Sequence, residues 1–106
     1  MSLQPVPIQN VPGVPDYTCT AFLPKSSDYC LLIPVINEGS RILTELGRAQ
    51  KAGVDRLVDI VICDGGSTDG SMNPDTLELY GVNTLLVKTG PGKQGAQLRM
   101  GLHFAL

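Results

Sequence analysis

The sequence predicts an α/β fold in which a parallel sheet is built from strands joined by crossover helices. Three observations carry that expectation. Two short apolar runs, Tyr29-Cys30-Leu31-Leu32-Ile33 and Ile60-Val61-Ile62, have the composition of strands buried on both faces. Between them Ile42, Leu46 and Ala49 recur at the spacing of a helix with one apolar face, with Leu43 beside them. A third run, Thr84-Leu85-Leu86-Val87, follows a second helical signal, so strands and helices alternate. Helical connections between successive strands give parallel pairing and right-handed crossovers.

Each element has a local justification. The first strand is expected over 29–33 and ends at Pro34, which cannot donate to a central ladder. Asn37-Glu38-Gly39-Ser40 forms the next turn, with Ser40 as N-cap of a helix over 41–52 and Gly53 as its C′ residue. The second strand spans 57–63. Asn73-Pro74 supplies N-cap and first position of a short helix that runs to Leu79 and is closed by Gly81. The third strand spans 84–87. A glycine-rich loop over 89–95 leads into a last helix from about Gln94 to the C-terminus. The apolar residues of that helix (Ala96, Leu98, Met100, Leu102, Phe104, Ala105, Leu106) nearly encircle it, which predicts burial on more than one side. The order is β-α-β-α-β-α, a Rossmann-like half-unit. Residues 1–28 differ. They hold five of the eight prolines (Pro5, Pro7, Pro12, Pro15, Pro24) and no sustained periodicity, so they are expected to form an extended, wrapping or disordered leader with at most a short edge strand over 17–22.

Composition narrows the function classes. A chain of 106 residues is one domain at most, and 42% hydrophobic residues with a net charge of -2 argue for a globular protein. Eight Lys+Arg form no basic run, which argues against nucleic acid as a partner. No apolar run approaches the roughly 18 residues that span a bilayer, and the N-terminus has no secretory pattern, so a cytoplasmic location is expected. Cys19, Cys30 and Cys63 match neither zinc nor Cys-x-x-Cys spacing and read as buried, reduced thiols.

Ligands of open α/β sheets bind at the carboxyl ends of the strands. Three polar or glycine-rich loops are expected there, over 34–39, 64–71 and 89–95. The middle one is Cys63-Asp64-Gly65-Gly66-Ser67-Thr68-Asp69-Gly70-Ser71, which sets Asp64 at a strand end. A carboxylate so placed needs a partner, and glycines let backbone approach a ligand; the same composition also suits an ordinary surface turn. Asp69 reads as a turn or cap residue. No Gly-x-Gly-x-x-Gly follows the first strand, and Gly90-Pro91-Gly92-Lys93 lacks the first glycine and the Ser/Thr of a Walker A loop. Lys93 near a helix N-terminus suits either phosphate or solvent. His103, the one histidine, lies on an apolar helix and reads as a packed side chain.

Leu32-Ile33-Pro34-Val35-Ile36-Asn37-Glu38, the acidic turn, and Gly92-Lys93-Gln94-Gly95-Ala96-Gln97-Leu98-Arg99-Met100-Gly101-Leu102 occur in that order. Together they resemble the N-terminal half of a family 2 glycosyltransferase of the GT-A fold, over residues 29–106. The resemblance implies a three-layer Rossmann-like parallel sheet and a nucleotide-sugar donor, UDP- or GDP-linked. It places Pro34, Val35, Asn37 and Glu38 against base and ribose, and Asp64 on the nucleoside, with Gly66 in the same turn. It sets Gly95, Ala96 and Arg99 at the start of a helix that closes the nucleotide pocket, with Lys93 near it. Many members carry a second acid where this chain has Gly65. The metal-binding Asp-x-Asp, the acceptor site and the catalytic base of such enzymes follow these motifs, and no Asp-x-Asp occurs here. The chain is therefore expected to be the nucleotide-binding half of a transferase, without catalytic or metal-ligating residues of its own. Mg²⁺ or Mn²⁺, an inverting transfer, and membrane association are expected only of a full-length parent. Partners expected on this reading are the nucleotide sugar, and either the missing C-terminal half or a second copy. The alternative is a non-catalytic α/β interaction or oligomerisation module.

Overall fold

The computed structural model describes residues 4–91 and 94–106. Its elements are β1 (Val6–Ile8), β2 (Tyr17–Ala21), β3 (Cys30–Val35), α1 (Ser40–Lys51), α2 (Val54–Leu57), β4 (Asp59–Asp64), α3 (Pro74–Leu79), β5 (Thr84–Lys88) and α4 (Gln94–Ala105). The strands form one mixed sheet in the order β1-β2-β5-β4-β3. β3, β4 and β5 pair in parallel, as the apolar runs predict.

The expectation of a purely parallel sheet with a separate leader does not hold. β2 pairs antiparallel with β5 from Tyr17↔Lys88 to Ala21↔Thr84, and β1 pairs antiparallel with β2. The N-terminal segment is thus part of the sheet, and its edge strand is β1, not the 17–22 stretch. The prolines explain how: they fall outside β2, while Pro7 sits in β1 on the sheet edge, where a missing amide donor is tolerated. The arm is pinned further at its C-terminal end. Phe22 and Leu23 N–H groups donate to Asn83 O, and Asn83 Nδ2 donates to Pro24 O at 3.1 Å. Asp59, buried at the start of β4, accepts from Ser26 N–H (3.1 Å) and Ser27 N–H (3.4 Å) on Oδ2, and from the Ser26 hydroxyl (2.6 Å) on Oδ1.

Alternation along the strands puts helices on both faces. Ile60, Ile62 and Leu85 pack with Ile42 and Leu46 of α1 and Leu77 of α3. Val61, Cys63 and Leu86 pack on the other face with Met100 of α4 and Tyr17 of β2. Each fully buried aliphatic side chain contributes about 1.5–3 kcal/mol of transfer free energy, so these clusters dominate stability. Burial pushes the Cys63 thiol up to about 11, as expected of an inert core cysteine. Cys30 departs from the expectation of burial, because β3 is an edge strand and leaves it exposed.

Several boundaries move. Pro34 lies within β3 rather than ending it. Val35 O accepts from Gly65 N–H at 2.8 Å, so by alternation the Pro34 nitrogen faces the open edge, where no ladder bond is lost. The N-cap of α1 is Gly39 at φ 59, not Ser40, which is already helical. Residues before β4 form the short helix α2 instead of the start of a strand, since Gly53 at φ 80 reverses the chain only one residue earlier. Asn73 caps α3 as expected, accepting from Asp75 and Thr76 N–H groups with Pro74 next in line. α4 buries one face only: Ala96 and Met100 are buried, whereas Leu98 and Leu102 are 40% and 52% exposed. On the same helix His103 pairs through Nδ1 with the buried Tyr17 hydroxyl at 2.7 Å.

Candidate functional site

The parallel register brings Val35, Asp64 and Val87 into one row, so the loops after β3, β4 and β5 leave the sheet along one rim. The first two are stitched together through side chains. Asp64 is 1% exposed, and a buried carboxylate is costly unless hydrogen-bonded. Its oxygens accept from Ser67 N–H at 3.1 and 3.2 Å, and Oδ1 accepts from the Ser67 hydroxyl at 2.6 Å. Ser67 Oγ in turn accepts from Asn37 N–H, and Asn37 Oδ1 accepts from Thr68 N–H, each at 2.8 Å. Asn37 holds this reciprocal pair at φ 46, a left-handed conformation that asparagine tolerates better than most residues. Gly66 takes φ 102, where a side chain would be strained, and a Cβ there would lie 3.6 Å from Lys88 O.

Asp69 extends the stitching. Its Oδ2 accepts from Gly39 N–H at 3.0 Å, and its Oδ1 from the Ser71 hydroxyl and N–H. The Ser71 hydroxyl first, then the Ser71 and Gly39 amides, hold its carboxyl below the ordinary 3.8. A carboxylate whose folded pKa is lowered stabilises the fold above its unfolded pKa and loses that contribution as pH falls through the folded one. The Gly39 amide resonance is therefore expected to titrate with a midpoint below 3.8, and a midpoint at or above 3.8 contradicts this link.

Of the residues singled out in the sequence, Pro34, Val35, Asn37, Glu38, Asp64 and Gly66 gather where β3 and β4 end. Pro34, Val35 and Glu38 also border a groove of about 360 Å³ that runs down the open edge of β3 beside α1, with Ile33, Ile42 and Leu46 among its lining. Gly95 lies in the first turn of α4. Lys93 lies outside the described residues. Arg99 is turned away from the β3–β4 end: its Nε donates to Gly13 O at 3.1 Å, tying α4 to the turn before β2. Asp16 reaches the third loop, its carbonyl accepting from Thr89 and Gly90 N–H groups.

Two contributors were not read from the sequence. Ser67 is the partner that makes a buried Asp64 tolerable, and its spacing of three from an acid at a strand end is the available signal. Gln97 is 4% exposed and donates from Nε2 to Val35 O and Cys63 O, both at 2.9 Å, bracing the last turns of two strands from α4. A glutamine one residue after Ala96 and three before Met100, on the buried face of an apolar helix, is the signal that was there to find.

Among the described residues no three His, Cys, Asp or Glu side chains gather to hold a metal ion, so the donor set does not fit one. No helix among them is long and apolar enough to cross a membrane. No family model matches the chain, and no match is found among curated proteins or solved structures.

Proposed function

We propose that the rim formed by the loops after β3 and β4 and by the start of α4 binds a nucleoside diphosphate sugar, as the donor-binding half of a family 2-type glycosyltransferase with a Rossmann-like, three-layer core of the GT-A kind. The observation that carries the reading is the joining of the Pro34–Asn37–Glu38 loop to the Asp64 turn through Ser67 and Asn37 at adjacent carboxyl ends of parallel strands. Such ends are where open α/β sheets take ligands. The motif order in the sequence supports it independently.

The chemistry follows from the groups present. Asp64 is an acceptor for a ribose hydroxyl or a base N–H, and charge-assisted bonds of this kind are strong. Three donor contacts from Ser67 already fall on its oxygens, so a ligand hydroxyl reaches it by taking the place of the Ser67 hydroxyl on Oδ1. Gly66 keeps the turn low, and Asn37 holds the neighbouring loop in register. Transfer itself would rest with parts of a parent enzyme beyond these motifs. Isothermal titration of the chain with UDP, GDP and their sugars tests the reading. Binding of at least one, lost with Asp64→Asn, is expected; no heat from any of them with a folded protein refutes it.

One feature favours a second reading, the interaction module. β3 has an open edge, and Leu31 on β3 and Leu98 and Leu102 on α4 are exposed, apolar surface of the sort that meets other protein. On that reading the same titrations are silent and the chain sediments as a complex.

A further inference from the structure

We infer that a second copy of this chain docks on the open edge of β3, with β3 antiparallel to β3 and α1 antiparallel to α1 across one two-fold axis. The inference rests on the interaction reading above, not on the nucleotide reading. Among the described residues no strand pairs with the outer side of β3. At either end of that strand, Tyr29 O accepts from Asp59 N–H and Val35 O from Gly65 N–H. By alternation the odd-numbered residues face β4, and Cys30, Leu32 and Pro34 turn their backbone groups outward. An unpaired row of this kind is a template for another strand. Pro34 lacks a donor but keeps its carbonyl. Centred on Leu32, an antiparallel copy exchanges backbone bonds between the two Leu32 residues and sets each Cys30 N–H against the Pro34 carbonyl of the other copy.

The charges beside this edge choose the occupant. Leu31, Ile33 and Leu46 line the groove of about 360 Å³ along it, and so do Glu38, Arg41 and Glu45. Arg41, Glu45 and Arg48 fall on one side of α1, at steps of four and three residues. Glu38 extends the row past the start of the helix by pairing with Arg41 at 3.7 Å. The order acid, base, acid, base is its own complement when reversed. With the axis at the level of Leu43, Glu45 meets Arg41 of the second copy and Glu38 meets its Arg48, each contact occurring twice as two-fold symmetry requires. Sliding the pair by one helical turn sets Arg41 against Arg41 or Glu45 against Glu45, so the row rejects neighbouring registers as well as favouring one. Both arginines are held within one copy only by 3.7 Å contacts to residues three positions away, and their side chains are 80% and 75% exposed, so they can reach a partner. β3 and α1 border the groove together, so one axis serves strand and helix at once.

The test is a charge swap on the whole chain, read by sedimentation equilibrium. Wild type is expected to form a closed dimer. Arg41→Glu sets acid against acid across the axis, and Glu45→Arg sets base against base. The two side chains are 80% and 60% exposed, so neither change disturbs the core, and circular dichroism checks that both variants are folded. Each variant alone is expected to dimerise at least about tenfold more weakly than wild type. Mixed in equal amounts, the two are expected to form a heterodimer about as tight as the wild-type dimer, because every contact across the axis again joins opposite charges. A monomeric wild type, an open-ended assembly, single variants that dimerise as wild type does, or a mixture that stays monomeric would each overturn the inference. The nucleotide reading is decided separately on the same samples. A dimer with silent UDP and GDP titrations removes that reading alone, and a monomer that binds either nucleotide removes this inference alone.

Discussion

Asp59→Ala is expected to lower the melting temperature by roughly 15 °C and to release the segment that leads from β2 into β3. The carboxylate is 4% exposed and accepts from two backbone amides and one hydroxyl of Ser26 and Ser27. Hydrogen bonds to a charged acceptor contribute about 1.5–3 kcal/mol each at best, and the freed amides regain water, so a net loss of about 3 kcal/mol is reasonable. For a domain of this size each kcal/mol moves the midpoint by about 4–8 °C. Asp59→Asn separates charge from shape. It keeps one oxygen for the Ser26 hydroxyl but turns an NH₂ toward the Ser26 and Ser27 amides, so it recovers only part of the loss. Thermal melts of the three proteins, with limited proteolysis around 22–28, give the answer. A midpoint within about 4 °C of wild type for Asp59→Ala would remove Asp59 as the clasp.

That clasp shows why the N-terminal quarter was hard to read in advance. Tyr17–Ala21 carries no turn or cap signal that names its partner, and its partner is Thr84–Lys88, far along the chain. Proline density pointed to an extended segment, which is correct locally, but pairing is a long-range fact that short-range composition does not encode. The parallel strands were legible because their apolar runs are continuous and because helices with clear caps separate them. Asn73-Pro74 is the plainest case, with the side-chain oxygen capping two amides as its position implies. Pro34 was misread because a proline's meaning depends on whether its strand is central or at an edge, and the sequence does not state that. At the rim, the residues that bear recognisable chemistry were legible. The residues that make their burial possible, Ser67 and Gln97, were not, because their role exists only through contacts across three residues and across thirty-four or sixty-two.

Asp64→Asn is expected to weaken nucleotide binding by more than about tenfold while costing only about 1 kcal/mol of stability. The amide retains one oxygen for Ser67, so the turn over 64–71 keeps its closure, but the charge is gone. Asp64→Ala goes further. It leaves the Ser67 N–H and hydroxyl without their acceptor at a site that is 1% exposed, and so is expected to cost about 2–3 kcal/mol and loosen Asn37 as well. Neither variant alone tells whether Asp64 meets the ligand or merely shapes the loop. Ser67→Ala does. It removes the hydroxyl that occupies Oδ1 at 2.6 Å, keeps the backbone N–H that closes the turn, and exposes only the Asn37 N–H, which is already near solvent. If a ligand hydroxyl takes that place on Oδ1, Ser67→Ala binds UDP or GDP as tightly as wild type or more tightly, because no internal donor has to be displaced first. If Asp64 acts only by holding the loop, Ser67→Ala loses affinity in parallel with Asp64→Ala. Titration of the three variants, each checked by circular dichroism, separates the two, and a folded Ser67→Ala that no longer binds would refute direct contact at position 64.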